Sequence, residues 1–215
     1  VRRSAAPITG RTARHAVLEA PPVAELLDRP GQHAVPILEP DGTVDVPPAA
    51  AEVRVLEAVQ STLGHPPVVR VARGMSFFGE HAAGWLAMGA IGALVDRKRR
   101  RDWIAATAAV AVAHGASVGV KRVVRRPRPD DPRVQVHVGT PSRLSFPSAH
   151  ATSTTAAAIL FGALLRKPLA AALVPSMALS RMVLGVHYPT DVLAGSALGA
   201  AVAAVARRVI RKEKR

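Results

Sequence analysis

The sequence predicts an all-α fold: a multi-pass membrane helical bundle of about five membrane-crossing helices plus an N-terminal interfacial helix. Three observations lead there. Long apolar stretches recur through the C-terminal three-quarters of the 215-residue chain, basic residues cluster between them, and Ala and Gly dominate the stretches. The mean hydropathy is only +0.18. Ala is weakly apolar, which accounts for that value, and small residues let helices approach closely in lipid. A soluble bundle with an Ala-rich core is the competing architecture.

Residues 1–49 read as a Pro-rich N-terminal arm, extended or poorly ordered. They are nearly neutral, and Pro21, Pro22, Pro30, Pro36, Pro40, Pro47 and Pro48 interrupt any period. One short helical turn is expected at Val23–Leu27. The basic opening lacks a continuous apolar core, so no signal peptide is expected. The segment 50–63 places Val53, Leu56, Val59 and Leu63 at helical spacing, which suits an interfacial helix or one docked on the bundle. It opens the helical domain, 50–206.

Five apolar segments follow. They are Gly74–Val95, with Glu80 its only formal charge, then Trp103–Val120, Leu144–Leu165, Pro168–Leu184 and Val192–Ala206. A spanning helix needs roughly 20 residues. If the segments cross in turn, the basic clusters 96–102 and 166–167 and the basic C-terminal tail 207–215 share one face. The loops 121–143 and 185–191 then share the other, and they carry most of the chemically unusual residues.

Lys plus Arg number 29 against 15 Asp plus Glu, a net charge of +14. That excess alone would suit nucleic acid. Its clusters sit at the ends of apolar segments, however, without interleaved aromatics, so no nucleic-acid partner is expected. A nonenzymatic membrane scaffold would leave the histidines unexplained. Cysteine is absent, which excludes disulfides, a thiolate nucleophile and cysteine-ligated zinc.

Three polar stretches carry the chemistry. In KRVVRRPRP, 121–129, Lys121 and Arg128 offer donors suited to phosphate oxygens. A plain flanking basic loop is the alternative. In SFPSAH, 145–150, Pro147 and Ser148 read as a helix N-terminus, whose free N–H groups bind anions. Ser148 can add a hydroxyl donor, and His150 can deliver a proton unless it is merely structural. In SRMVLGVHYPTD, 180–191, Arg181 lies in an apolar segment, where a cation is costly unless paired, snorkelling or functional. His187 and Asp191 are four residues apart, so the carboxylate can reach and orient the imidazole.

Together these stretches resemble the type 2 phosphatidic acid phosphatases, a family related to vanadium haloperoxidases. Lys121, Arg128 and Pro129 match its first motif. Pro147, Ser148 and His150 match the second, with Ala149 where the family has glycine. Ser180, Arg181, His187 and Asp191 match the third. The resemblance implies the family's helical bundle and hydrolysis of a phosphomonoester or pyrophosphate through a phosphohistidine. His187 would be the nucleophile, Asp191 its partner and His150 the acid. Lys121, Arg128, Ser148, the Ala149 N–H and Arg181 would hold the phosphoryl oxygens. No metal and no cofactor is expected.

The implied substrate is a polyprenyl or other phospholipid at the bilayer. FFGEHAAGW, 77–85, is similar to actinobacterial members that remove the 5-phosphate of decaprenyl-phosphoryl-phosphoribose in the synthesis of arabinan precursors for the cell wall. Glu80 and His81 are candidate contacts to a sugar hydroxyl. Undecaprenyl-diphosphate or phosphatidate phosphatase activity is the rival within the family. The expected location is the plasma (inner) membrane, with the catalytic face leaning to the cytoplasm and a homo-oligomer left open.

Overall fold

The computed structural model describes residues 37–38, 44–45 and 48–212. The arm, including the turn expected at Val23–Leu27, lies outside the described residues, apart from two short strands and the start of the first helix. The strands, β1 (Ile37–Leu38) and β2 (Val44–Asp45), pair antiparallel with Ile37 opposite Asp45. The strands fall in one unit, 1–45, and the helices described below in another, 46–215.

The second unit is helical. Helix α1 is Pro48–Leu63. Val53 and Leu56 face inward, with Val134, Met182 and Tyr188 against them. Gln60 locks the helix end-on: its amide donates to the carbonyls of Gln135 (2.7 Å) and Val183 (3.0 Å) and accepts from the Gln135 N–H (2.9 Å). The 50–63 helix is therefore docked on the bundle.

Helix α2 (Pro66–Gly79) and helix α3 (Ala83–Val95) are separated by a 3₁₀ turn, Glu80–Ala82. The apolar stretch 74–95 is thus bent. His81 and Ala82 both take left-handed dihedrals, φ 49° and 60°. Phe78 and Trp85 meet edge to face across the bend at 4.8 Å. Gly79 is obligatory at its start: a Cβ there would lie 2.6 Å from the His150 ring.

Helix α4 (Arg100–Val124) follows a 3₁₀ turn at Arg97–Arg99 capped by Asp96. Helix α5 (Ala149–Leu165) is central, packed by α4, by α6 (Leu169–Val183) and by α7 (Pro189–Lys212). Every residue of α5 from Ala151 to Ala158 is buried. Three of its four buried hydroxyls find partners within that core, and Thr155 Oγ1 has none among the described residues. Thr152 and Ser153 donate to the carbonyls of Ser148 and Ala149, and Thr154 accepts from the Trp85 indole N–H.

The expectation of about five membrane crossings is corrected here. Among the described residues two helices are long and apolar enough to span: Arg97–Val124 (28 residues) and Pro189–Arg211 (23 residues), each with mean hydropathy 1.5. The causes are local. The bend interrupts 74–95, leaving it shared between the end of the 14-residue α2 and the 13-residue α3, and at 1.5 Å per residue neither helix reaches the ~30 Å of a hydrocarbon core. Leu144–Leu165 loses its first turn because the helix starts only at Ala149, and α6 has 15 residues. The alternation of helix ends nevertheless holds. Arg99 donates to the Leu164 carbonyl at one end of the bundle, while Lys121 and His150 lie at the other.

Helices α5 and α7 touch backbone to backbone. A Cβ on Gly195 would meet the Ser148 carbonyl at 2.5 Å, and one on Gly199 the Thr152 carbonyl at 2.3 Å. These glycines form a small-xxx-small pair. Gly199→Val must push the helices apart, so its expected cost is about 1–3 kcal/mol. Thermal unfolding in detergent should show a midpoint several degrees lower, and an unchanged midpoint would refute this contact.

Candidate active site

A cavity of about 420 Å³ opens where α4 ends, α5 begins and α6 ends. Lys121, Arg128, Ala149, His150, Arg181 and His187 all line it, as do Glu80 and His81 from the bend. Sequence separations of up to 107 residues are closed by the alternation of helix ends.

His187 sits in the turn between α6 and α7 and is 2% exposed. Its Nε2 lies 3.2 Å from Arg128 Nη1, and its Nδ1 lies 3.5 Å from Asp191 Oδ2. The latter is long for a hydrogen bond, as is common in a catalytic pair without substrate. Burial, then the nearby cations Arg128, Lys121 and Arg181, hold the ring well below the ordinary histidine pKa. The imidazole is therefore neutral at pH 7, with a lone pair to offer.

Asp191 is fully buried behind it. Oδ2 accepts from the Tyr188 N–H at 2.8 Å, and Oδ1 accepts from Arg126 Nη1 at 3.0 Å. Arg126 also donates to Thr190 Oγ1 (2.7 Å) and to Glu52 of α1, and its guanidinium lies 4.1 Å over the Tyr188 ring. No sequence motif gives a role to Arg126 or Glu52. Arg126 looked like one more basic residue in a basic run, and 74 residues separate it from Glu52.

The cations are held by neutral oxygens. Lys121 Nζ donates to the carbonyls of Leu144 (3.1 Å) and Ser145 (2.8 Å). Arg128 donates from Nε to Ser142 O (2.8 Å) and from Nη1 to Val186 O (2.6 Å). Arg181 is 1% exposed; it reaches Ser76 Oγ (3.1 Å) and Ser180 Oγ (3.0 Å). Its buried Nε has no hydrogen-bond partner among the described residues. Carbonyls and hydroxyls orient these groups without neutralising them, and a buried charge cluster left in that state is built to receive an anion.

Ala149 opens α5 and lines the cavity. Ser148 is fully buried; its hydroxyl accepts from the Ala151 N–H at 3.4 Å as the cap of α5. His150 occupies the first turn, with Nε2 3.0 Å from the Ser76 carbonyl. That partner is a pure acceptor, so Nε2 carries a proton and any second proton goes to Nδ1. Burial, and then Arg181 nearby, lower His150 to about 3. Glu80 and His81 lie 3.5 Å apart at the bend. Ser76, Arg122 and His114 also line the cavity, and no motif gives them a role.

Residues 102–215 match the PAP2 superfamily. The chain is 57% identical over 155 residues to the decaprenylphosphoryl-5-phosphoribose phosphatase of Mycobacterium tuberculosis (strain ATCC 25618 / H37Rv), covering 72% of this chain and 88% of that protein. It is 60% identical over 145 residues to the protein of the same name from Mycolicibacterium smegmatis, covering 67% and 81%. Among solved structures, a transmembrane PAP2-type phosphatidylglycerolphosphate phosphatase from Bacillus subtilis superimposes with a TM-score of 0.62. That match has 23% identity and covers 77% of this chain and 89% of that one.

Arg128→Gln removes one of the cations facing the His187 ring. The lowered pKa of His187 should then rise, because its protonated form meets less repulsion. Histidine NMR titration should show the wild-type ring neutral to below pH 6.5 and the variant protonating at a higher pH. An unmoved ring would sink the electrostatic account.

Proposed function

The chain belongs to the PAP2 superfamily, and from that premise we propose that it removes the 5-phosphate of a decaprenylphosphoryl phosphoribose through a phosphohistidine intermediate. It is a phosphoric monoester hydrolase of the lipid-phosphatase type, as its 57–60% identity to such enzymes indicates. The carrying observation is the neutral His187, whose Nε2 stands 3.2 Å from Arg128 in the cavity that Lys121 and Arg181 share. A nucleophile that is not itself charged faces a site that attracts a dianion.

The residues divide the work as follows. Lys121, Arg128, Arg181 and the Ala149 N–H neutralise the phosphoryl oxygens, and positioning with charge stabilisation supplies most of phosphoryl-transfer catalysis. The chain's own cations provide that charge, so the reaction calls for no metal. His187 Nε2 attacks phosphorus, and Asp191, facing its Nδ1–H, stabilises the positive charge that develops on the ring. The ester P–O bond breaks, and His150 gives its proton to the departing 5-oxygen. A bound dianion offsets the cations that depress His150 and raises its proton affinity, so the ring becomes protonated as substrate enters. Water then attacks the phosphohistidine, His150 takes the water's proton, and inorganic phosphate leaves.

The substrate assignment is supported by the names of the relatives at 57–60% identity, which favours it over undecaprenyl diphosphate or phosphatidate. The fold, together with two helices long and apolar enough to span, supports a membrane-associated enzyme. Of the large apolar side chains, Ile104, Val112, Val123, Leu193, Val205 and Val209 stand more than half exposed on those helices, a surface suited to lipid. We place the catalytic end on the cytoplasmic side, where the sugar-phosphate lipid would be made. The strongly basic non-catalytic end argues the other way under the positive-inside rule.

His187→Ala is expected to lower phosphate release from decaprenylphosphoryl phosphoribose by at least about a thousandfold. Retention of full activity by that variant would falsify the mechanism. For orientation, single cysteines at Thr140 and Lys98 can be labelled in intact cells, since the chain has no native cysteine. The cytoplasmic placement expects an impermeant maleimide to reach position 98 and spare 140; the reverse pattern overturns it.

A further inference from the structure

Phosphoryl chemistry uses one end of the cavity. The wall formed by the bend and the middle of α4 carries a second group of polar side chains, Glu80, His81 and His114, for which the mechanism has no task. Glu80 and His81 lie within 3.5 Å of each other, and the rings of His81 and His114 are 6.4 Å apart, centroid to centroid. The Nδ1 of His114 is buried and has no hydrogen-bond partner among the described residues.

A carboxylate here is costly if the cavity holds only phosphate. Glu80 repels the dianion that Lys121, Arg128 and Arg181 attract, and its field reaches Arg128, Arg181 and His114. The arrangement makes sense for a ligand that brings hydroxyl donors to this wall. An ionised carboxylate only accepts hydrogen bonds, and its two oxygens suit two neighbouring hydroxyls. The imidazoles can each accept or donate as the hydroxyl requires. The backbone is shaped for the purpose, since two successive non-glycine residues, His81 and Ala82, are held left-handed at the bend. Strain of that kind persists where the surroundings over-determine it, often at a ligand clamp.

We propose that Glu80, His81 and His114 form a polyol subsite that binds the vicinal hydroxyls of a pentose ring carried between the scissile phosphate and the lipid tail. It rests on the phosphoribose reading above, and it makes these side chains the determinants of substrate choice rather than of the chemical step. Glu80 accepts from the diol, and His114 Nδ1 fills its open bond with a ring hydroxyl. Phosphomonoesters without a polyol leave the subsite unmatched.

The test measures inhibition constants of ribose 5-phosphate, 2-deoxyribose 5-phosphate and inorganic phosphate against lipid hydrolysis in detergent micelles. The full-length wild type should hold ribose 5-phosphate about tenfold or more tighter than phosphate, with the deoxy sugar between them. Glu80→Gln and His114→Ala should each shrink that margin about fivefold or more. Glu80→Gln should bind inorganic phosphate as well as before or better, because a repelling charge has gone. A purely structural role would weaken both ligands in parallel, and that outcome rejects the subsite. Equal margins in wild type and both variants also reject it, while leaving the phosphoribose reading intact. No margin in the wild type removes the phosphoribose reading and the subsite together.

Discussion

Asp191 has no exposed surface, and hydrogen bonds reach it from several parts of the chain. The Ser148 N–H donates to its carbonyl at 2.9 Å, the Tyr188 N–H to one carboxylate oxygen and Arg126 to the other. One residue thereby fixes the start of α5 against the start of α7, and the loop after α4 against both. His187 hangs on this junction through its 3.5 Å approach to Oδ2. The close backbone contact at Gly195 and Gly199 serves the same end, because a wider α5–α7 spacing would pull Ser148 away from Asp191.

Around that junction the pocket concentrates like charge. Lys121, Arg128 and Arg181 are oriented by carbonyls and hydroxyls rather than by carboxylates. The folded protein carries the repulsion as a standing cost, which a phosphate dianion relieves on binding. The same field keeps His187 unprotonated and depresses His150. Binding, nucleophile activation and acid loading are thus linked through one electrostatic balance. Glu80 is the exception, a negative group placed where this balance meets the rest of the substrate.

Much of the site was legible in the sequence because its parts lie at helix ends, where short motifs hold their spacing. Lys121, Arg128, Ala149, His150, Arg181 and His187 all reach one cavity. The helix count was not legible. Gly74–Val95 looks like one span by composition, and nothing in its apolar pattern announces left-handed residues at His81 and Ala82. α5 is apolar because it is the core of the bundle, and burial in protein and burial in lipid select the same residues. Arg126 and Glu52 were missed for another reason. Their roles come from a contact between distant segments, and a basic residue inside a basic run has no distinguishing local pattern.

Glu52 lies in α1, and Ser76, whose carbonyl holds His150 and whose hydroxyl holds Arg181, lies in α2. Both precede residue 102, where the family match begins. The stretch matched to the superfamily and the working unit therefore have different borders. Excised at 102, the chain would keep every motif residue of the family and lose the acceptor for His150, a partner of Arg181 and the brace behind Arg126. In this protein the motifs mark where the chemistry sits, and the helices that precede them hold it in place.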